Sequence, residues 1–139
     1  MKLVIDANVL ISAIIKDSVT RKIILDERTE LYSPGKIIEE VIKHSDLIAK
    51  KANLSNEEVL SFFRILMEKI KIVPEKEYRE KIPEALSIAR NFDEKDTLFI
   101  ALALKLKIPV WTSDKGILDN QGKYQAVNTK DVLEGLSKS

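Results

Sequence analysis

Lys2-Leu3-Val4-Ile5-Asp6 carries the chain into a short apolar run that stops abruptly at a carboxylate. Three consecutive aliphatic residues leave no polar face for water, so the run reads as a strand buried on both sides in a parallel sheet. Such a strand needs covering helices. Ala7-Asn8 leads into residues 9–15, an apolar stretch that reads as a helix, and residues 21–26 have helical spacing at Ile23 and Ile24. Residues 30–33 read as a second strand, stopped by the turn or helix-start signal Ser33-Pro34-Gly35.

The same alternation continues. Residues 36–51 place Ile37, Ile38, Val41, Ile42, Leu47 and Ile48 on one amphipathic helical face. Ser55 and Glu58 form a capping-box pattern, opening a helix to about residue 70 with Val59, Phe62, Phe63, Leu66 and Met67 inward. Residues 71–73 read as a third strand ended by Pro74, and residues 75–91 as helix with a break near Pro83. Asp93 is an N-cap candidate for a helix over 94–106. Residues 108–112 and 125–127 read as the fourth and fifth strands. Thr129 is expected to cap a last short helix with Val132, Leu133 and Leu136 inward. Strands alternating with helices, without a repeat or linker, predict one α/β domain over residues 1–139. Its expected form is a three-layer α/β/α domain with a central, mainly parallel sheet.

The bulk numbers agree and narrow the chemistry. At 139 residues the chain fits one domain and buries a real core without staples. It has no cysteine, which excludes a disulfide scaffold, a zinc–thiolate site and a cysteine nucleophile. Reducing cytoplasm is the expected compartment. No signal peptide is legible at the start, and Ser12 and Lys16 leave the apolar stretch near residue 10 far too short to span a membrane. With 23 basic and 22 acidic residues the net charge is +1, which neither demands nor forbids a nucleic acid partner. His44 is the only histidine, so neither a Ser/His/Asp set nor a two-histidine nuclease mechanism is available.

Four acids stand where sites form in α/β sheets, beyond the carboxyl ends of the strands. Asp6 follows the first strand. Glu40 lies early in the helix after the second. Asp96 begins the helix feeding the fourth strand, and Asp114 follows that strand in Thr112-Ser113-Asp114. Two carboxylates about 5 Å apart repel by roughly 3 kcal/mol at an effective dielectric of 20. Their gathering therefore points to a hard divalent cation, which takes oxygen ligands and bridges carboxylate to phosphate.

These segments resemble a PIN domain, the nuclease fold of VapC-type toxins and of RNA-processing enzymes. The matching stretches are Leu3-Val4-Ile5-Asp6-Ala7-Asn8-Val9-Leu10 and Ile38-Glu39-Glu40-Val41. Asp93-Glu94-Lys95-Asp96-Thr97-Leu98-Phe99-Ile100-Ala101-Leu102-Ala103 follows, then Val110-Trp111-Thr112-Ser113-Asp114. Their order covers most of the chain. The resemblance implies Mg²⁺ or Mn²⁺, RNA cleavage, a homodimer and, for a toxin, an antitoxin protein as partner. It implies metal-holding and catalytic roles for Asp6, Glu40, Asp96 and Asp114, with Asn8 and either Thr112 or Ser113 in support. Glu40 fits the family's frame between Ile38 and Val41 better than Glu39 does. Asp93 is either an extra acid in the site or a cap.

Plainer readings stand beside these. Asp6, Asp93 and Asp96 suit helix starts, Asp114 before Lys115-Gly116 suits a turn, and Glu40 suits a solvated helix face. Trp111 reads as core and His44 as a helix-flank residue. Arg21, Lys22, Lys36 and Lys115 are ordinary solvated cations unless phosphate meets them. The rival functions are a PIN-like RNA-binding or assembly module that does not cut, and a phosphoacceptor domain using Asp6. The latter lacks the Asp-x-Asp start that would encourage it.

Overall fold

The computed structural model describes residues 1–15 and 18–138. The strands are β1 (Lys2–Ile5), β2 (Glu30–Pro34), β3 (Ile70–Val73), β4 (Val110–Trp111) and β5 (Ala126–Val127). They lie in the order β3-β2-β1-β4-β5, and every pairing is parallel. Leu31 pairs with both Leu3 and Ile70, and Val4 pairs with both Tyr32 and Val110. β1 is therefore central, and Leu3, Val4 and Ile5 are at most 2% exposed. An apolar run with no polar face has found the one place where both faces are dry.

Two helical layers produce that dryness. On one side α1 (Ala7–Ile15), α2 (Ser18–Leu25), α4 (Ser45–Ala52) and α5 (Asn56–Met67) pack on one another. Arg21 fastens them: its Nε donates to the Ala13 carbonyl at 2.6 Å, and its guanidinium lies 5.0 Å from the Phe62 ring centroid. On the other side α7 (Thr97–Leu106) packs against β1, β2 and β4, backed by α6 (Ile82–Ala89). The elements α3 (Lys36–Lys43), α8 (Lys115–Asp119) and α9 (Thr129–Ser137) complete the described helices. No helix among the described residues is long and apolar enough to cross a membrane.

The structure differs from the sequence expectations at several joints. Residues 36–51 form two helices, because the backbone turns at His44 (φ −101°, ψ 11°) between α3 and α4. Val41 and Ile48 are seven residues apart, so the apolar stripe runs across the joint without marking it. The helix opened by Ser55 ends at Met67, leaving Ile70 to begin β3. Pro83 does not break a helix but sits in the first turn of α6, where its missing N–H costs nothing. Two short 3₁₀ turns, Glu75–Glu77 and Arg79–Lys81, precede it. A third, Glu94–Asp96, precedes α7. Asn128, not Thr129, caps α9, in a capping box with Asp131. The Thr129 hydroxyl instead accepts the Trp111 indole N–H at 3.0 Å, so Trp111 is core with its polar atom satisfied.

Candidate functional site

In this strand order the chain moves outward from β1 to β2 and β3, then crosses back to place β4 on the other side of β1. The carboxyl ends of β1 and β4 therefore flank the point where the topology reverses, which is where α/β sheets open a crevice. Asp6 leaves the end of β1 there, its N–H still donating to the Trp111 carbonyl of β4 at 3.0 Å. Thr112, Ser113 and Asp114 leave β4 beside it. A cleft of about 120 Å³ sits above this junction, lined by Asp6, Asn8, Glu40, Asp93, Asp96 and Asp114, with Lys95 on its rim and Phe99 in its wall.

Each acid has its own anchor. Asp6 is almost wholly buried, and its Oδ2 accepts the Thr112 hydroxyl at 2.7 Å. Burial pushes its carboxyl above the usual range, against the pull of the Thr112 hydroxyl and of the Ala7 and Asn8 amides. Thr112 in turn accepts the Asp114 N–H at 2.9 Å. The Asp114 Oδ1 accepts the Ile117 N–H at 3.1 Å, capping α8. One hydroxyl thus ties the ends of β1 and β4 together and orients both acids. Ser113 is exposed, so of the two candidate hydroxyls it is Thr112 that enters this network. Asp93 caps the turn before α7 through the Lys95 N–H at 2.9 Å and also lines the cleft.

Asp96 is different. It ends that turn without making a side-chain cap bond, and its Oδ2 is buried with no hydrogen-bond partner. Burial, with Asp6, Asp114 and Asp93 nearby, pushes its carboxyl up to about 7, while Lys36 draws it down. A buried oxygen left unpaired among other carboxylates is costly unless something positive reaches it.

The adjacent glutamates part company on α3. Glu40 lines the cleft, with the His44 ring 3.6 Å away one helical turn on, whereas Glu39 lines a separate groove on the neighbouring flank. The sequence gives no sign of two contacts here. Lys36 donates from Nζ to the Lys95 carbonyl at 2.7 Å, joining α3 to the rim of the cleft. Tyr124 donates to the Ile117 carbonyl at 2.6 Å, steadying α8 from below, and its phenol is pushed up to about 12 by burial and by Asp96 and Asp114.

Among the described residues no three acidic or histidine side chains converge closely enough to hold a metal ion directly between them. The donor set still fits a hard cation held largely through water. The donors are all carboxylate oxygens, one is buried and unpartnered, and the cleft has room for roughly four water volumes. Asp6, Asp96, Asp114 and Glu40, the four acids singled out in the sequence, all line this cleft.

Comparison with known proteins gives two findings. A family model described as PIN domain matches residues 4–131. The fold is similar to the crystal structure of PAE2754 from Pyrobaculum aerophilum, with a TM-score of 0.74 and 15% identity over 100% of this chain and 91% of that one. It is also similar to VapBC2 from Rickettsia felis, solved bound to a DNA fragment from their promoter. That TM-score is 0.72, with 14% identity over 92% of this chain and 98% of that one. No curated protein matches the chain in sequence.

Proposed function

This chain belongs to the PIN-domain family, and we propose that it is a metal-dependent endoribonuclease acting as the toxin of a toxin–antitoxin pair. The observation that carries this reading is the cleft at the β1/β4 junction, where carboxylates from four separate stretches of the chain face one space. Repulsion among them would be relieved by Mg²⁺ or Mn²⁺, held by Asp6, Asp96 and Asp114 directly or through water, with Glu40 assisting. When bound, such a cation lowers the pKa of a water ligand and takes up charge on a phosphodiester.

The chain's own residues do the rest. Thr112 holds Asp6 through Oδ2. The Ile117 N–H holds Asp114 through Oδ1. Asp96 lines the same cleft and keeps one buried oxygen without a partner. Asn8, exposed on the first turn of α1, faces the same space and is placed to bond a phosphate or a water. No histidine pair stands in the cleft, so hydrolysis by water, without a covalent enzyme intermediate, is the reaction this set supports. The fold shared with VapBC2 supports an antitoxin as partner. Exposed Leu25, Leu60 and Ile65 on α2 and α5 support a second copy of the chain.

The test is RNA cleavage by purified protein with Mn²⁺ or Mg²⁺, then with excess chelator, and then by the Asp6→Asn and Asp96→Asn variants. Cleavage should need the cation and fall to background in both variants. Undiminished cutting by either variant, or cutting in chelator, would sink the mechanism.

A further inference from the structure

Beside the acidic cleft, at the same edge of the sheet, lies a groove of about 470 Å³ over the ends of β2 and β3. Its floor and walls include Ile38, Ile72 and Leu98, and its mouth carries Lys36, Glu39 and Glu75. The two depressions share walls. Glu39 faces the groove and Glu40 the cleft; Leu98 faces the groove and Phe99 the cleft. Lys36 spans both, its stem lining the groove while its ammonium bonds the Lys95 carbonyl on the cleft's rim.

We propose that this groove is a base subsite, receiving the nucleobase of the RNA nucleotide next to the phosphate held in the acidic cleft. The proposal rests on the nuclease reading and adds where the substrate strand runs. The centre of the groove lies about two strand spacings from the β1/β4 junction, about 9–10 Å, a span that a phosphate in the cleft and the base beside it can bridge. The apolar floor suits an unstacked base, which single-strand readers seat on apolar or aromatic surface. The charges set the polarity of the fit. Glu39 and Glu75 repel phosphate from the groove, while Lys36, at the boundary, attracts it. The backbone therefore passes over Lys36 and only the base turns in. Ile72 is half-buried on the edge strand and far from the acids in the sheet order, so changing it leaves the cleft intact.

The experiment uses Ile72→Glu, with Leu98→Gln as a second variant on a different element and Ile72→Val as a control. Each is first checked for a wild-type circular dichroism spectrum and melting curve. One arm maps cut sites in a randomised RNA with Mn²⁺. Wild type and Ile72→Val should favour particular bases at one position flanking the cut. Ile72→Glu or Leu98→Gln should lose that preference and raise KM about tenfold, with kcat at saturation nearly unchanged. A second arm measures binding of a fluorescent single-stranded RNA in chelator by anisotropy, where the folded variant should bind about tenfold more weakly. If wild type cuts nothing but binds RNA in a groove-sensitive way, the nuclease reading fails and the base subsite stands. Unchanged preference, KM and binding in a folded variant would overturn the subsite, as would wild-type protein that binds no RNA. A groove built for a protein partner would give that unchanged result.

Discussion

Asp96 carries the most informative single atom in the molecule, a buried carboxylate oxygen with nothing to accept from. Its carboxyl titrates near 7 in the folded chain and near the ordinary aspartate value when unfolded, so the native state binds the extra proton between those limits. That contribution to stability is complete below about pH 4, is lost as pH rises towards and through 7, and stays lost above. In the absence of divalent cation, Asp96→Asn should therefore become progressively more stable than wild type between about pH 4 and 7. The advantage should level off above that range, as read by urea denaturation across pH. A difference that does not vary with pH would contradict it. Thr112 makes a second case. Thr112→Val strips Asp6 Oδ2 and the Asp114 N–H of their partner inside the protein and should cost about 1–3 kcal/mol. Thr112→Ser, which keeps the hydroxyl, should recover both stability and cleavage. The sequence puts Asp6, Asp96 and Asp114 at one edge of the sheet because each follows a strand or begins a helix, whereas Glu40, inside α3, stands out only through the family resemblance. The choice of Thr112 over Ser113 was not legible, since alternation along a two-residue strand does not say which hydroxyl turns inward. Nor was the orphaned oxygen of Asp96, which depends on packing from three remote segments.

At the level of elements, the sequence spoke clearly where period and cap agreed. The capping box of Ser55 and Glu58 and the inward Val59, Phe63 and Leu66 place α5 without ambiguity. It spoke poorly where a joint leaves the apolar stripe in phase, as at His44, and where an element is too short to show a period, as with α8. Yet α8 is the element on which Asp114 depends. A methyl group on Gly116 would stand 3.0 Å from Asp114 Oδ1 and 3.0 Å from the Phe92 Cβ. Gly116→Ala should push the first turn of α8 away from Phe92 and carry Asp114 with it. RNA cleavage should fall at least tenfold, while the far-ultraviolet circular dichroism spectrum stays that of wild type. Full activity in that variant would show that the position of Asp114 is not tightly required.

For the whole molecule, the predicted α/β/α layering and parallel sheet are what the structure has, and all five strands run the same way. The carboxylates at the β1/β4 junction should link cation binding to global stability. Mn²⁺ at about one hundred times its dissociation constant should add about 2.7 kcal/mol, visible as a higher Tm that chelator reverses. The gain should shrink in Asp6→Asn and Asp96→Asn, and a Tm indifferent to Mn²⁺ would count against the site. The central position of β1 has a further consequence during synthesis. Its partner on one side, β4, lies more than a hundred residues later in the chain. Asp6 is translated long before the hydroxyl that orients it, which lies 106 residues later in the chain. A nascent polypeptide that stops short of β4 cannot assemble the cleft, so a cell translating this message would meet the complete acidic centre only after that later stretch has been added.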